Sequence, residues 1–244
     1  MRIRHRLFTA SAAALFAFTV FSTRVHAQAP QYAVTVLGSL GNPPVADSAY
    51  AVNASGQVAG FSVTSSGALD AVVWNGTTPT VLTSVGGTTS QANGINASGQ
   101  VVGVSDTLGN AAKDAVEWNG TTPTNLGNLG GSGGSVAYSI NDSGQVVGNS
   151  STTGNASYDG FLYTGGTMYD LNNIIEPGSG VTDIEFLEYG SSDVINDNGQ
   201  IVASGTYEGN TVGVLLTPTP EPASAALLAL GAGALLARRH RRNA

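Results

Sequence analysis

Ile140-Asn141-Asp142-Ser143-Gly144-Gln145-Val146-Val147-Gly148 is the stretch on which the reading of this chain turns. Near copies stand at 52–60 (VNASGQVAG), 95–103 (INASGQVVG) and 195–203 (INDNGQIVA), so Asn53, Asn96, Asn141 and Asn196 lie 43, 45 and 55 residues apart. Self-similarity at that length belongs to solenoids, propellers and arrays, in which each unit buries its apolar face only against its neighbours. Within each copy an apolar residue leads into Asn, two small or polar residues and Gly follow, and Gln with branched residues resumes the run. Asn suits the first corner of a type I turn and Gly accepts the positive φ at its end, so the copy reads as strand, tight turn, strand.

A second element follows the first three Asn by seventeen or eighteen residues and the last by sixteen. It reads Asp70-Ala71-Val72-Val73-Trp74, Asp114-Ala115-Val116-Glu117-Trp118 and Asp159-Gly160-Phe161-Leu162-Tyr163, with Val212-Gly213-Val214-Leu215-Leu216 in the last unit. These are short strands ending on an aromatic residue or leucine. Identical Asn-Gly-Thr-Thr-Pro-Thr turns at 75–80 and 119–124, and Thr164-Gly165-Gly166-Thr167, then lead to fourth strands at 80–85, 124–129 and 168–171. Four short strands in about 45 residues match a propeller blade. The units run over 46–85, 90–129, 135–172 and 189–216.

Thr35-Val36-Leu37-Gly38-Ser39-Leu40-Gly41 lines up with 80–86 and 124–130, yet no earlier strands precede it. The last unit runs from its third strand straight into a proline-rich tail without a fourth. The expected fold is therefore all-β, a small four-bladed β-propeller in which the amino-terminal strand at 32–37 completes the last blade and hides both edges. An open β-solenoid or a sandwich is the alternative. The last unit is also about ten residues longer than its siblings. The addition, 172–189, gathers Glu176, Asp183, Glu185 and Glu188 among Ile174, Ile175, Phe186 and Leu187. It reads as a solvated acidic loop or cap, or as a binding surface grafted onto one blade.

Both ends carry delivery signals. Arg2, Arg4 and Arg6, an apolar run over 7–21 and a polar exit ending Val25-His26-Ala27 form a secretory signal peptide, 1–27, cut after Ala27. At the other end, Pro220-Glu221-Pro222 precedes an apolar helix at 223–237 and the basic residues Arg238, Arg239, Arg241 and Arg242. Apolar then basic is a stop-transfer order, with the cations held on the cytoplasmic side. Fifteen residues span only about 22 Å as a helix, short of the roughly 30 Å hydrocarbon core, which suits a transient anchor better than a permanent one.

From Gln28 to Ala237 there is no Arg, His or Cys, Lys113 is the one base, and sixteen Asp and Glu leave a formal charge of −15. Such a surface repels nucleic acid and anionic headgroups and favours neutral or cationic partners. Without cysteine, an exported domain must be held by burial and sheet pairing. A Ser-His-Asp triad, a cysteine nucleophile, a His/Cys zinc site and an arginine phosphate clamp all need residues that this region lacks. Glycoside hydrolysis by Glu185 with Glu188, or Asp183 with Glu185, calcium binding through oxygen ligands, or no catalysis at all remain.

The tail, 219–244, resembles the PEP-CTERM sorting signal of Gram-negative, exopolysaccharide-making bacteria. That resemblance implies removal of the tail by an exosortase-type membrane peptidase. The repeats over roughly 32–218 resemble the HAF family of extracellular repeats. They share the Ile-Asn-x-x-Gly-Gln-Val-Val-Gly marker and the run Leu126-Gly127-Asn128-Leu129-Gly130-Gly131, but Asp70, Asp114, Asp159 and Val212 replace the family's histidine. Together these resemblances imply a non-enzymatic protein needing no cofactor, delivered to the cell surface or extracellular matrix. Its partners are the exosortase-type peptidase and exopolysaccharide or other surface proteins. Its contact with the inner membrane is transient and confined to the tail.

Overall fold

A computed structural model describes residues 31–41, 46–154, 157–186 and 194–219. The expected signal peptide with Ala27, Glu188, the expected sorting motif Pro220-Glu221-Pro222, the expected membrane helix at 223–237 and Arg238, Arg239, Arg241 and Arg242 lie outside the described residues. Among the described residues no helix is long and apolar enough to cross a membrane.

The fold is all-β, in four small antiparallel sheets, each built from strands consecutive in sequence. The first holds β1 (Asp47–Val52), β2 (Gln57–Val63), β3 (Leu69–Asn75) and β4 (Thr78–Val81). The second holds β5 (Gly86–Ile95), β6 (Val101–Thr107), β7 (Lys113–Asn119) and β8 (Thr122–Gly127). The third holds β9 (Gly130–Ile140), β10 (Val146–Thr152), β11 (Tyr158–Thr164) and β12 (Thr167–Asp170), and leads into the short helix α1 (Leu171–Ile174). The fourth has three strands, β13 (Val181–Glu185), β14 (Ile201–Tyr207) and β15 (Asn210–Leu216).

Each marker forms the expected hairpin turn, and its glycine does what the reading required. Gly56, Gly99, Gly144 and Gly199 have φ of 78°, 80°, 75° and 73°, and each donates its N–H to the carbonyl of the marker Asn three residues back. The Asn side chain completes the turn. In the second unit Asn96 Oδ1 accepts from Gln100 N at 2.9 Å, and Asn96 Nδ2 donates to Gln100 Oε1 at 2.8 Å. The second Nδ2 hydrogen goes to the following sheet. Asn53 donates to the Asn96 carbonyl at 3.1 Å, Asn96 to the Asn141 carbonyl at 3.1 Å, and Asn141 to the Asn196 carbonyl at 2.9 Å. Asn96 and Asn141 are each only 3% exposed, so unpaired amides there would be costly.

The glycine that ends the marker has a different cause. A Cβ on Gly60, Gly103 or Gly148 would fall on the carbonyl oxygen of Ser48, Gln91 or Val136 across the sheet. At the same place in each sheet the first strand carries one extra residue, Tyr50, Asn93 or Tyr138, a bulge that presses its backbone against the partner. The last marker has Ala203 instead. There β13 joins β14 through a different register, Thr182 opposite Thr206 and Glu185 opposite Ser204, and leaves room for the methyl.

Consecutive sheets share apolar layers. Ala59, Ala71 and Leu82 pack against Ala92, Val101, Val116 and Trp118, and Val102, Ala115 and Leu126 pack against Ala137, Val146 and Phe161. Buried serines bind these layers: Ser90 accepts from Ala71 N at 3.0 Å and Ser135 from Ala115 N at 2.8 Å. The third and fourth sheets are joined by Asn149, which donates to the Phe186 carbonyl at 2.7 Å and accepts its N–H at 2.9 Å.

The last unit, expected to begin at 189, is described only from Val194, where Ile195 bridges Ile201 as Ile140 pairs with Val146. Farther along, β14 pairs with β13, a strand from the acidic insertion that buries Ile184 completely. One expectation is corrected: the pairing of 35–37 with 212–216 is not formed, because β15 pairs only with β14 among the described residues. Gly38 and Leu40 are held by the first sheet. Gly38 N donates to the Thr77 carbonyl at 2.9 Å, Trp74 Nε1 to the Gly38 carbonyl at 2.7 Å, and Leu40 N to Ser62 Oγ at 2.9 Å. The faces a ring would bring together are open: Val52 is 66% and Val202 48% exposed, whereas Ile140 and Val147, their counterparts in the third unit, are buried.

Asn96→Ala is expected to cost about 2–4 kcal/mol, the sum of several buried hydrogen bonds, and Asn196→Ala, at an exposed turn, about 1 kcal/mol. Gly103→Ala should destabilise by about 2–4 kcal/mol through overpacking, while Ala203→Gly should change stability by no more than about 1 kcal/mol. Denaturant unfolding of the four variants checks both pairs.

Candidate functional site

The acids singled out from the sequence are dispersed. Asp183 and Glu185 are exposed on β13, on either side of buried Ile184, and Asp183 adopts φ of 53° with the Thr182 hydroxyl donating to its Oδ2 at 3.0 Å. Glu188, the other half of one proposed pair, lies outside the described residues. Asp183 instead contributes to a small acidic group with Asp159 and Asp170. Burial holds the Asp159 carboxyl above its ordinary value; the Ser157 hydroxyl at 3.1 Å opposes this, and the charges of Asp170 and Asp183 add to it. Asp170 is committed to capping α1, accepting from Asn172 N and Asn173 Nδ2, each at 2.8 Å.

Asp142 and Asp197 have structural partners too. Asp142 Oδ1 accepts from Ala97 N at 2.8 Å and Asp197 Oδ1 from Asp142 N at 2.9 Å, so these oxygens link one turn to the next. Asp114, at the position of the HAF histidine, is 8% exposed and accepts from Asn125 Nδ2 at 2.9 Å. Asp70, its counterpart in the first unit, is held above its ordinary value by burial. Among the described residues no group of three or more His, Cys, Asp or Glu is placed to hold a metal ion.

The site that the structure does form is apolar. A cleft of about 570 Å³ opens between the third and fourth sheets, floored by Leu162, Leu171, Ile175, Ile184, Ile201 and Leu216. Gln145, Ser179 and Thr217 bring neutral polar groups to it, and Glu176 is its single ionisable lining residue. Its origin is a missing ring. In the first two sheets the third strand ends on Trp74 and Trp118, both fully buried, whose indole N–H groups donate to the Gly38 and Thr83 carbonyls at 2.7 Å. The fourth sheet has Leu216 in that register, and the smaller side chain leaves the space unfilled. Sequence reasoning recorded the leucine but not the cleft. The signal was available in the change from aromatic to aliphatic at one repeat position.

A cleft of this kind binds by burying apolar surface against its floor and by neutral hydrogen bonds at its edge. The acidic insertion thus supplies an apolar wall through Ile174, Ile175 and Ile184, while Glu176 stays at the rim and Asp183 and Glu185 in solvent.

Leu216→Trp is expected to raise stability by about 1 kcal/mol by filling the cleft, read as a higher melting temperature. A carboxyl held above its ordinary value binds its proton more tightly when folded, so its contribution is present at low pH and lost as the pH rises through the carboxylate range. Asp159→Asn should therefore flatten the fall in melting temperature between about pH 4 and 6, with the larger gain over the parent at the upper end.

In comparisons with known proteins, the chain matches no family model and none of the curated proteins.

Proposed function

We propose that the chain is an exported, non-catalytic repeat protein of the cell surface or extracellular matrix, sorted by an exosortase-type system and associated with exopolysaccharide or other surface proteins. The observation that carries this reading is the use made of the repeated polar residues. Asn53, Asn96 and Asn141 each bond to the next turn, Asp142 and Asp197 to the turn before. What recurs along the chain builds a scaffold.

The surface chemistry supports the same reading. A domain with sixteen acids and one lysine between its delivery signals stays soluble outside the cell and favours neutral ligands. The cleft beside Leu216 adds an apolar floor with amide and hydroxyl groups at its edge, a combination that suits the faces of sugar rings and their hydroxyls. The propeller is replaced in this proposal by an open array of four blade-like sheets, because the faces at its two ends remain exposed.

Two measurements test the proposal. The chain is expected to be retained on exopolysaccharide from its own producing cells, and Leu216→Trp should reduce retention at least several-fold. No retention of either form would overturn the polysaccharide association. Replacing Glu221 by Ala in the sorting motif is expected to leave an unprocessed, membrane-held chain; release at the parental rate would overturn the sorting route.

A further inference from the structure

The two ends of the sheet array are unfinished in matching ways. On the fourth sheet, Val202 is 48% exposed, although its repeat counterparts Ala59, Val102 and Val147 are fully buried beneath the following sheet. Leu215 beside it on β15 is 62% exposed. On the first sheet, Ala49 is exposed and Val52 66% exposed, although Ala92, Ala137 and Ile140 are buried against the preceding sheet. The residues are of the interior type; only the neighbouring sheet is missing.

The strands are unfinished as well. In the first three sheets a fourth strand pairs with the third, Val73 opposite Thr80 and Glu117 opposite Thr124. Beyond β15 that place is empty among the described residues. Meanwhile 35–37 repeats the sequence of a fourth strand, yet Thr35 is exposed, Val36 is 81% accessible and only Leu37 is half-buried. The residues just after it already sit as a connector between sheets. The bond from Trp74 Nε1 to the Gly38 carbonyl matches that from Trp118 Nε1 to Thr83, and Leu40 N on Ser62 Oγ matches Val85 N on Ser105 Oγ and Leu129 N on Ser150 Oγ. The first sheet is therefore prepared as though another sheet preceded it.

We propose that a second copy of this chain fills both vacancies: residues 35–37 of one copy add antiparallel to β15 of another, and the first sheet of the one stacks on the fourth sheet of the other. The repeat register places Thr35 opposite Leu215 and Val36 opposite Val214. Asn196, whose Nδ2 bonds to Gln200 Oε1 at 2.9 Å, then offers its second hydrogen to the Asn53 carbonyl of the next copy, extending the series that runs through Asn96 and Asn141. Strand addition supplies main-chain bonds, and alternate side chains set the register. Because the surfaces joined are different, the contact is head-to-tail, and repeated without ring closure it generates a filament. The inference depends on the geometry of the ends alone, whichever partner the scaffold carries.

The chain has no cysteine, so introduced pairs report cleanly. Opposed strand residues come within disulfide reach. Full-length chains carrying Thr35→Cys and Leu215→Cys separately are expected to form a mixed disulfide dimer on oxidation, and the double variant a ladder of multimers. Thr35→Cys with Glu208→Cys, at the far turn of β15, is the register control. Sedimentation of the parent should show mass rising with concentration, and Val202→Lys, at an exposed position, should abolish that rise while leaving the melting temperature unchanged. A double variant that crosslinks only within one chain, crosslinking no greater than the Glu208 control, or a parent that stays monomeric at every concentration would overturn the proposal.

Discussion

The arrangement depends on the satisfaction of one neutral amide. A carboxamide with 3% of its surface exposed must find partners for two hydrogens and an oxygen, and Asn96 finds them in three directions at once. Its oxygen closes the turn, one hydrogen holds Gln100, and the other reaches the next sheet. The turn, the position of the glutamine and the stacking distance are thereby tied together, so none can shift without leaving a buried group unpaired. The glycine ending each of the first three markers completes the arrangement by letting a bulged strand approach closer than any side chain would allow.

Neutral groups suit this role. The contacts between sheets run through amides, serine hydroxyls and small apolar side chains, and Asp114, Asp142 and Asp197 serve as acceptors for backbone or amide N–H. Salt screens exposed charges and leaves buried neutral hydrogen bonds largely untouched. The negative charge can then be carried on the outside, where it repels other anions without weakening the layers beneath.

Much of this was legible in the sequence because it is local. Asn followed three residues later by Gly reports a turn, and the fixed distance from Asn96 to Trp118 or Asn141 to Tyr163 reports which strands follow. The third strands of the first three units fall where the repeats place them, whereas the fourth strands run earlier than expected, β4 ending at Val81 and β8 at Gly127. What escaped detection was what depends on a distant partner. The bond from Asn53 to Asn96 joins residues 43 apart, and the sequence distinguishes a second donor hydrogen from a solvated one only by burial. Residues 181–185 carry acids on both sides of Ile184 and read as a loop, yet burial of that isoleucine draws the segment into the fourth sheet. The cleft escaped for a related reason: a leucine in place of tryptophan is a conservative change until the volume of the layer is known. The signals at both chain ends rest on residues outside those described, and remain readings of the sequence alone.

The direction of the asparagine series has one more consequence. Asn53, Asn96 and Asn141 each give their spare hydrogen to the unit that follows, and nothing in that exchange counts how many units there are. Length is consequently not part of the design. A gene that duplicated or lost one whole segment between equivalent asparagines would still encode a chain whose seams fit, and such tandem stretches recombine readily by unequal crossing-over. The molecule can thus vary its reach over evolutionary time without reinventing its architecture.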